Sequence, residues 1–235
     1  MTTPGSVLSE VGTAGLVAEQ FPSFVRTSVL PLGQQPQGQV WDEELRAVAD
    51  AVPSRRREFL AGRACAHAAL AALGRDEGPV VVGRRREPVW PPGVVGSISH
   101  AGGWCGAAVA LASEAWGLGL DIEVLDPPLE PGVERLVMSA GELRQMAAVT
   151  NHHPLAPYAT KIAFSAKECV LKCLSPRAQG LIDLTEVTVE LDLSRSCFRA
   201  TLVGELRRSF PISYGLEGSL RAAGGHVFTT LCPRR

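Results

Sequence analysis

The chain contains 235 residues, of which 46% are hydrophobic and 20% charged, and its formal net charge is −1. This composition is ordinary for a globular protein. The near-zero charge excludes a general attraction to nucleic acid or to anionic membranes, so any anion binding must be local. No apolar run approaches the length that a membrane-spanning helix needs.

The cysteines indicate the redox compartment. All six lack a CxxC pair and the spacing typical of a zinc site, which predicts free or buried thiols in a reducing environment. The first residues also lack the basic stretch and apolar core of a signal peptide. We therefore expect a soluble, cytoplasmic protein. We also expect a monomer, since a chain of this length can bury a sizeable core without a partner.

Periodicity and turn residues predict the elements of the first half of the chain. They are a strand at 24–30, a helix at 54–73 and short strands at 80–82, 96–99 and 104–111. Ser54 is the expected N-cap of this helix, and Gly74 is expected to end it. The opening 20 residues, which are rich in Gly, Ser and Thr, show weak periodicity and predict no regular element.

The second half follows a similar pattern. Its predicted elements are a strand at 116–124, a Pro-rich turn at 126–132, helices at 133–149 and 158–174, and strands at 184–191, 197–203, 212–216 and 227–231. A helix followed by three strands thus occurs at 54–111 and again at 158–231. This repetition predicts an α+β fold made of two related halves, at residues 1–112 and 113–235.

Two carboxylates stand at alternate positions of a predicted strand. Asp121 and Glu123 point to one face of the strand at 116–124, while the residues between and beside them point into the core. Converging carboxylate oxygens suit a hard divalent cation, and Mg²⁺ is the natural candidate because it also accepts water and phosphate oxygens. An isolated pair of this kind also fits a half-exposed strand with two solvated acids.

The predicted helix at 158–174 carries a second polar group. Helical spacing places Lys161, Ser165, Glu168 and Lys172 on one face. Glu168 and Lys172 are one turn apart, and such a pair is commonly a solvated surface pair that contributes roughly 0.3 to 0.5 kcal/mol. Alone, this stripe does not indicate a function.

A third cluster combines a basic loop with a polar strand. Arg84, Arg85 and Arg86 precede a Pro-Trp-Pro turn, and the strand after it ends at Ser99 and His100. Guanidinium, hydroxyl, imidazole and backbone N–H donors suit a phosphorylated ligand. The alternative makes the tryptophan of the turn a core anchor and His100 a capped strand end.

Together these segments resemble one family, the Sfp/EntD-type 4′-phosphopantetheinyl transferases. The resemblance covers residues 53–175 and rests on four motifs, RRREFLAGRACAHAAL, REPVWPPGVVGSISH, GLDIE and FSAKECVLK. GLDIE stands in place of the family's G-[IV]-D-x-E, and FSAKECVLK matches F-x-x-K-E-x-x-x-K. The resemblance implies two pseudo-symmetric α/β halves with the active site at their interface. It also implies transfer of the phosphopantetheine arm of coenzyme A to a serine of an acyl or peptidyl carrier protein.

The resemblance also implies roles for individual carboxylates and a lysine. Asp121, Glu123 and Glu168 correspond to the family's Mg²⁺ ligands. Glu168 corresponds as well to the general base that deprotonates the carrier serine. Lys172 corresponds to the residue that stabilises or protonates the leaving 3′,5′-ADP.

Coenzyme A contacts are implied at a further set of basic and polar residues: Arg55, Arg63, Arg84, Arg85, Arg86, Ser99 and His100. Which of the three loop arginines meets a phosphate stays open. For the two arginines of the 54–73 helix, the alternative is a basic solvent face. Lys167 could face the same phosphates or the solvent, and both alternatives stay open. The segment at 133–149 either packs in the core or helps to dock the carrier protein.

Two other functions compete with this interpretation. A non-catalytic coenzyme A or nucleotide-binding module would not need intact Asp121, Glu123, Glu168 and Lys172. A nucleic-acid-binding protein is disfavoured by the net charge of −1 and by an aromatic content of 6%. The sequence does not distinguish carriers of polyketide, nonribosomal peptide, siderophore or fatty-acid synthesis, although its length resembles the broad-specificity group of secondary metabolism.

Overall fold

The computed structural model describes residues 10–33, 40–130, 132–148, 153–178, 182–210 and 215–235. Its helices are α1 (Glu10–Ala18), α2 (Asp42–Ala47), α3 (Pro53–Leu73), α4 (Glu134–Val137), α5 (Ala140–Ala148), α6 (Ala159–Leu174) and α7 (Gly204–Ser209). Short 3₁₀ helices occupy Ala156–Tyr158, Ser175–Arg177 and Leu184–Glu186. Helix and sheet are mixed along the chain, which agrees with the expected α+β class.

The strands form two larger sheets and one hairpin. They are β1 (Arg26–Pro31), β2 (Val81–Val82), β3 (Pro88–Val89), β4 (Val94–Ala101), β5 (Trp104–Leu111), β6 (Gly119–Val124), β7 (Val187–Asp192), β8 (Cys197–Leu202), β9 (Leu216–Ala223) and β10 (His226–Leu231). A three-stranded sheet has the order β1-β5-β4, and a five-stranded sheet has the order β6-β10-β9-β8-β7. β2 pairs with β3 alone, and all these pairs are antiparallel.

The long helix α3 covers the three-stranded sheet. It packs on β1 and β5, where small side chains such as Ala66 and Ala69 allow a close approach to Val109. It begins with Pro53 in its first turn and ends at Gly74, whose φ of 73° is the left-handed conformation of a helix C-cap. The stop at Gly74 agrees with the sequence, whereas Ser54 lies inside the helix and is not its N-cap.

The helix α6 covers the five-stranded sheet in the same manner. It packs on β6, β10 and β7. Its apolar face, which includes Ala166, Cys169 and Val170, is fully buried in the largest core cluster. The opposite face carries the polar stripe expected from helical spacing. Burial of the apolar face therefore fixes the direction in which the polar side chains point.

Two serine side chains join the sheets where β4 lies beside β6. Ser97 Oγ accepts a hydrogen bond from Leu120 N at 3.0 Å, and Ser99 Oγ accepts one from Ile122 N at 3.1 Å. These hydroxyls take the place of backbone carbonyls, because β4 and β6 belong to different sheets. The junction therefore consists of side chains that point from one sheet to the edge of the other.

Gly119 allows β6 to approach α6 closely. A Cβ atom at this position would overlap the carbonyl oxygen of Cys169 and lie 2.8 Å from its Sγ. The absence of a side chain thus brings the strand backbone against the helix backbone. Asp121, two residues along the strand on the same face, comes close to α6 for this reason.

A buried polar cluster attaches α2 to α3. His67 Nε2 lies 2.8 Å from Glu44 Oε1, and His67 Nδ1 lies 2.6 Å from Asp76 Oδ1. Glu44 is fully buried and also accepts a hydrogen bond from Val80 N at 2.9 Å. Burial opposes ionisation of Glu44, but the hydrogen bonds from His67 and from backbone N–H groups and the charge of His67 together outweigh it and lower the pKa of Glu44.

The predicted helix at 133–149 is two helices within the described residues. Met138 is extended between α4 and α5, with φ −129° and ψ 142°. Ser139 and Glu142 then form a reciprocal capping box, with Ser139 N donating to Glu142 Oε2 at 2.9 Å and Glu142 N donating to Ser139 Oγ at 3.2 Å. Capping starts a new helix here, so the prediction of one continuous helix was wrong.

Other elements differ from the sequence expectations at their ends. α1 lies in the opening segment, where no element was predicted, and its Val17 is buried in the core beside Phe21. The strand expected from 116 begins at Gly119. Of the strand expected at 212–216, residues 212–214 lie outside the described residues, and β9 starts at Leu216.

The structure bears on two expectations from composition, the state of the cysteines and the absence of a membrane-spanning helix. All six cysteines are free, and Cys65, Cys105, Cys169 and Cys173 are buried. Among the described residues, the structure has no helix with the length and apolar character to cross a membrane.

We predict that Gly119→Ala lowers the free energy of unfolding by about 1 to 3 kcal/mol, because the new methyl group must displace β6 from α6. Gly15→Ala is the matched control, since no atom lies within 4 Å of a Cβ at that position of α1. The control should leave stability unchanged or raise it by about 0.5 to 1 kcal/mol. Denaturant unfolding measures both variants, and wild-type stability in Gly119→Ala would contradict the close approach.

Candidate active site

The buried carboxylate of Asp121 lies at the centre of the site. Its Oδ1 accepts hydrogen bonds from Ser99 Oγ at 3.0 Å and from Lys172 Nζ at 2.6 Å. Its Oδ2 accepts one from Ser165 Oγ at 2.7 Å. Three elements, β4, β6 and α6, therefore meet at one side chain that is only 3% exposed.

Residues behind Asp121 fix its orientation. Thr229 in β10 lies opposite Asp121 in the strand pairing. Its Oγ1 is 2.9 Å from Ser165 Oγ, and it donates a hydrogen bond to Ser165 O at 3.1 Å. Ser165 Oγ donates its own hydrogen to Asp121 Oδ2, because a carboxylate can only accept. The five-stranded sheet thus supports the position of Asp121 through α6.

Two further carboxylates face the same cleft. Glu123 and Glu168 line a space of about 270 Å³ together with Asp121. Burial and the negative charge of Asp121 raise the pKa of Glu123 to about 7. Burial also raises the pKa of Glu168, although Lys172 opposes this effect. The three acids therefore repel one another, and a cation between them would relieve the repulsion.

Lys172 supplies positive charge at the floor of this cleft. Besides its contact with Asp121, its Nζ donates to Ser99 Oγ at 2.8 Å. Burial alone would lower the pKa of Lys172, but the Asp121 carboxylate raises it above its ordinary value. The raised pKa keeps the ammonium charged. The side chain is 28% exposed, so the ammonium is accessible from the cleft.

The first turn of α3 brings an arginine to the rim of the cleft. Arg55 Nη1 lies 3.0 Å from His100 Nε2, and because arginine can only donate, the histidine nitrogen is the acceptor. Burial lowers the pKa of His100 despite the nearby Glu58. The side chain is therefore neutral, and its Nε2 carries no proton. Ser99 and His100 both line the cleft.

Arg63 lies two turns after Arg55 on α3 and is 5% exposed. Its guanidinium stands 4.4 Å from the ring centre of Phe59. Its Nε has no hydrogen-bond partner among the described residues. Burial lowers the pKa of Arg63 to about 10, and Glu44 opposes the change. A buried guanidinium with an unmatched donor is suited to an anionic ligand.

The three loop arginines differ in their surroundings. Arg85 and Arg86 line a second cleft of about 370 Å³, which shares Glu168 and Lys172 with the first. Arg84 is exposed and lines neither of these two clefts. The structure therefore brings two of the three arginines to the neighbourhood of the carboxylates.

Arg85 is also attached to the end of α6. It donates to Ser175 O at 2.9 Å and to Ala178 O. These carbonyls lie at the C-terminal end of the helix, where a positive side chain is favoured. Arg85 thus connects the β2–β3 loop to the helix that carries Glu168, and part of its donor capacity is already used.

Lys167 is not among the residues that face the clefts. It is completely buried, and its Nζ contacts Glu142, Val137 O and Leu184 O. Neither alternative from the sequence holds, because the ammonium faces neither phosphate nor solvent. The prediction that Lys167 contacts coenzyme A is therefore wrong. It lies on the buried face of α6 because consecutive helical residues point about 100° apart.

The carboxylates provide suitable donors for a metal but no preformed cage. No group of three or more His, Cys, Asp or Glu side chains in the described part of the chain is already arranged around one metal position. The donor set of Asp121, Glu123 and Glu168 consists of carboxylate oxygens that share one cleft. Such hard ligands fit Mg²⁺, which keeps several waters and needs few protein ligands.

Comparison with known proteins gives the family. Residues 43–110 match the 4′-phosphopantetheinyl transferase N-terminal domain, and residues 117–229 match the 4′-phosphopantetheinyl transferase superfamily. The chain is 36% identical over 224 residues to the 4′-phosphopantetheinyl transferase Svp of Streptomyces mobaraensis, covering 92% of this chain and 88% of Svp. The chain belongs to the 4′-phosphopantetheinyl transferase superfamily.

More distant relatives agree with this membership. The 4′-phosphopantetheinyl transferase PptT of Mycobacterium tuberculosis is 33% identical over 77% of this chain and 80% of PptT. Enterobactin synthase component D of Salmonella typhi is 35% identical over 52% of this chain and 50% of that protein. The family identified from the four motifs is thereby confirmed. This phosphopantetheinyl transferase transfers the phosphopantetheine arm of coenzyme A to carrier proteins, and a non-catalytic binding module is not favoured.

Several supporting residues of the transferase were not assigned a role from sequence. Ser165 stood on the predicted polar stripe of α6, and that spacing was the signal for its contact with Asp121. Ser97 stood within a quoted motif, but nothing in the sequence showed that it joins Leu120. Thr229 had no local signal, because its role depends on the pairing of β10 with β6.

We predict that Ser99→Ala folds but transfers more slowly than wild type, because Asp121 and Lys172 lose their shared hydroxyl. The loss of the hydrogen bond from Ile122 N should lower the free energy of unfolding by about 1 to 3 kcal/mol. Ser97→Ala is the matched control, since it loses the equivalent bond from Leu120 N but no contact to a carboxylate.

Thermal unfolding and transfer rates should therefore separate in the two serine variants. Ser97→Ala is expected to lose about as much stability as Ser99→Ala. Its loss of activity should be much smaller. Equal activities at equal stabilities would show that the Ser99 hydroxyl does not support the site.

Proposed function

We propose that transfer takes place in a cleft between two related halves, at residues 1–112 and 113–235. The observation that carries this proposal is that Asp121, Glu123, Glu168 and Lys172 line one cleft with Ser99 and His100. The first set comes from β6 and α6, and the second from β4. Both halves have a strand before the long helix that pairs with the last strand of that half, as β1 pairs with β5 and β6 pairs with β10. This shared pairing supports the pseudo-symmetry.

In this proposal the transferase depends on Mg²⁺ held by Asp121, Glu123 and Glu168. The support is their common cleft and the pKa of Glu123, which burial and the negative charge of Asp121 raise. When bound, Mg²⁺ neutralises charge on the phosphoryl oxygens of coenzyme A. Asp121 is held in place by Ser99 and Ser165, so its oxygens are oriented before any ligand arrives.

Glu168 is proposed as the general base. Its carboxylate would take the proton of the carrier serine, directly or through a water, as the serine oxygen attacks the β-phosphate. Burial raises the pKa of Glu168, and a base with a raised pKa is a stronger proton acceptor. The serine oxygen forms the new bond to phosphorus, and the bond from phosphorus to 3′,5′-ADP breaks.

Lys172 is proposed to stabilise or protonate the leaving 3′,5′-ADP. Its ammonium is charged and accessible from both clefts. The coenzyme A contacts are proposed at Arg55, Arg63, Arg85, Arg86, Ser99 and His100. Of the three loop arginines, Arg84 alone lines neither cleft. Arg55 and Arg63 also line neither, and their support is the contact of Arg55 with His100 and the unmatched donor of Arg63. Positioning and electrostatic stabilisation account for most of the work in such a transfer.

The proposed partners are acyl or peptidyl carrier proteins. One relative is named for enterobactin synthesis, which supports a carrier of siderophore synthesis as one candidate and polyketide or nonribosomal peptide carriers as others. The proposal includes a monomer in the cytoplasm, in keeping with six free cysteines.

The direct test is a transfer reaction. The protein is incubated with coenzyme A, Mg²⁺ and a panel of apo-carrier proteins, and the products are weighed by mass spectrometry. We expect a carrier that gains the mass of one phosphopantetheine arm, and no gain when EDTA is present. Full transfer in EDTA would contradict the metal dependence, and no transfer to any carrier would contradict the activity.

We predict that Glu168→Gln lowers the transfer rate by roughly 10² to 10⁴, because the amide keeps the size of the side chain but cannot act as a base. If Glu168 also ligates the metal, Mg²⁺ affinity falls as well, and excess Mg²⁺ restores only part of the rate. Lys172→Ala should lower the rate without a comparable change in Mg²⁺ affinity, since an ammonium cannot ligate a cation.

Glu217→Gln provides the control for the charge change, because Glu217 is an exposed residue of β9 with a surface partner. Its rate and its Mg²⁺ dependence should match those of wild type. Full activity in Glu168→Gln would remove the assignment of Glu168.

We predict that Arg63→Ala and His100→Ala weaken coenzyme A binding by about 1.5 to 3 kcal/mol each, because each loses a contact to phosphate. Turnover at saturating coenzyme A should survive better than in Glu168→Gln. Isothermal titration with coenzyme A and with dephospho-coenzyme A measures the effect. Dephospho-coenzyme A lacks the 3′-phosphate, so a variant that has lost a contact to that phosphate should bind it as wild type does. If the variants bound coenzyme A as tightly as wild type does, neither residue would contact a phosphate.

A further inference from the structure

A buried ion pair joins α6 to the segment that contains α4 and α5. Lys167 Nζ lies 2.9 Å from Glu142 Oε1 and 3.0 Å from Glu142 Oε2, and the two side chains are 0% and 4% exposed. A buried ion pair is weak evidence for stability, because the cost of removing both charges from water offsets their attraction. The pair matters more for the segments that it holds in place.

The ammonium of Lys167 connects two separate backbone segments. It donates to Val137 O at 2.6 Å, at the end of α4, and to Leu184 O at 3.2 Å, in the 3₁₀ helix before β7. With Glu142 as the third partner, all three N–H donors of the ammonium are used. A single side chain thus fixes the spacing of these two segments beneath α6.

Glu142 holds the same region from the other side. Its Oε2 accepts the hydrogen bond from Ser139 N at 2.9 Å, which starts α5, and its Oε1 accepts one from Val189 N in β7 at 2.9 Å. The carboxylate therefore fastens the start of α5 to an edge strand of the sheet. Lys167 and Glu142 together form one unit that sets the position of α4 and α5.

The segments joined by Lys167 are the two walls of an open cleft of about 590 Å³. One wall contains Leu136, the neighbour of Val137, and the other contains Ile182 and Leu184. Glu168 and Leu171 of α6 line the cleft between them. Leu136 is 74% exposed, so this wall presents an apolar side chain at the rim. The width of the opening above Glu168 therefore depends on the residue that ties both walls together.

We propose that Lys167 and Glu142 are positioning residues for the acceptor, which hold the walls of this cleft at the spacing that lets a carrier serine reach Glu168. The inference rests on the proposed role of Glu168 as the base. Neither residue touches the reacting atoms. Neither residue lines the two clefts that contain the proposed coenzyme A contacts, so we expect coenzyme A binding not to depend on the pair.

The double variant Lys167→Met with Glu142→Gln tests this role. Removing one partner alone would leave a buried unpaired charge, whereas the double variant is neutral and keeps one acceptor oxygen at position 142. We expect the KM for the apo-carrier protein to rise about tenfold or more, because a small displacement of an acceptor has large effects on its reaction. The KM for coenzyme A should remain at the wild-type value.

Phe198→Leu is the matched control for lost stability. Phe198 is 1% exposed in the core of the same half and does not line the cleft, so its truncation loosens the core without removing a residue of the cleft. Both KM values should stay at the wild-type level in this control. A merely structural role for the ion pair would leave both KM values of the double variant unchanged or raise them equally, and either result would overturn the proposal.

The outcomes also separate this inference from the function on which it rests. If wild type fails to transfer, the proposed function is wrong. If wild type transfers and the double variant keeps its KM for the carrier, only the positioning role is wrong. Circular dichroism checks folding. If the double variant does not fold, Lys167→Gln with Glu142→Gln gives the same comparison of KM values, since it is also neutral and keeps a polar group at each position.

Discussion

The burial of one carboxylate, Asp121, constrains most of the site. A charged group can be removed from water only where donors replace its hydration, and here the donors come from β4 and α6. Those elements must therefore stand at fixed distances from β6. Gly119 makes the approach to α6 possible by leaving space at the helix backbone. Asp121 thus serves the fold in addition to its proposed role at a metal, whereas the sequence predicted the metal role alone.

The basic residues near the site differ in the partners that their side chains contact. Arg85 and Lys167 both donate to backbone carbonyls and connect distant segments. Arg63 has a donor without a partner in the described chain, and Lys172 is charged and reachable from solvent. Consecutive residues 167 and 168 show the contrast most directly. Lys167 faces inward and holds the two walls of the open cleft that contain Leu136 and Leu184, while Glu168 faces the space between these walls.

Much of the site could be predicted from the sequence because its signals are local. The alternation of Asp121 and Glu123, and the helical spacing of Ser165, Glu168 and Lys172, define directions within one strand and one helix. The direction of Lys167 was less certain, since a lysine is rarely buried and its partner Glu142 lies in another helix. The break before α5 had a local signal in Ser139-x-x-Glu142, which periodicity alone hid. α1 was missed because its two glycines and its valines and threonine have little helical preference, so that it depends on packing.

The serine junction between the two sheets has a consequence for folding. β4 and β6 each have a backbone edge that no strand of their own sheet covers, and Ser97 and Ser99 satisfy the N–H groups of β6 instead. An uncovered strand edge is a template for pairing with other chains. If the chain were divided between β5 and β6, each piece would keep its own ladder of hydrogen bonds but would expose such an edge. In the intact chain each piece therefore covers the exposed strand edge of the other and so protects it from aggregation.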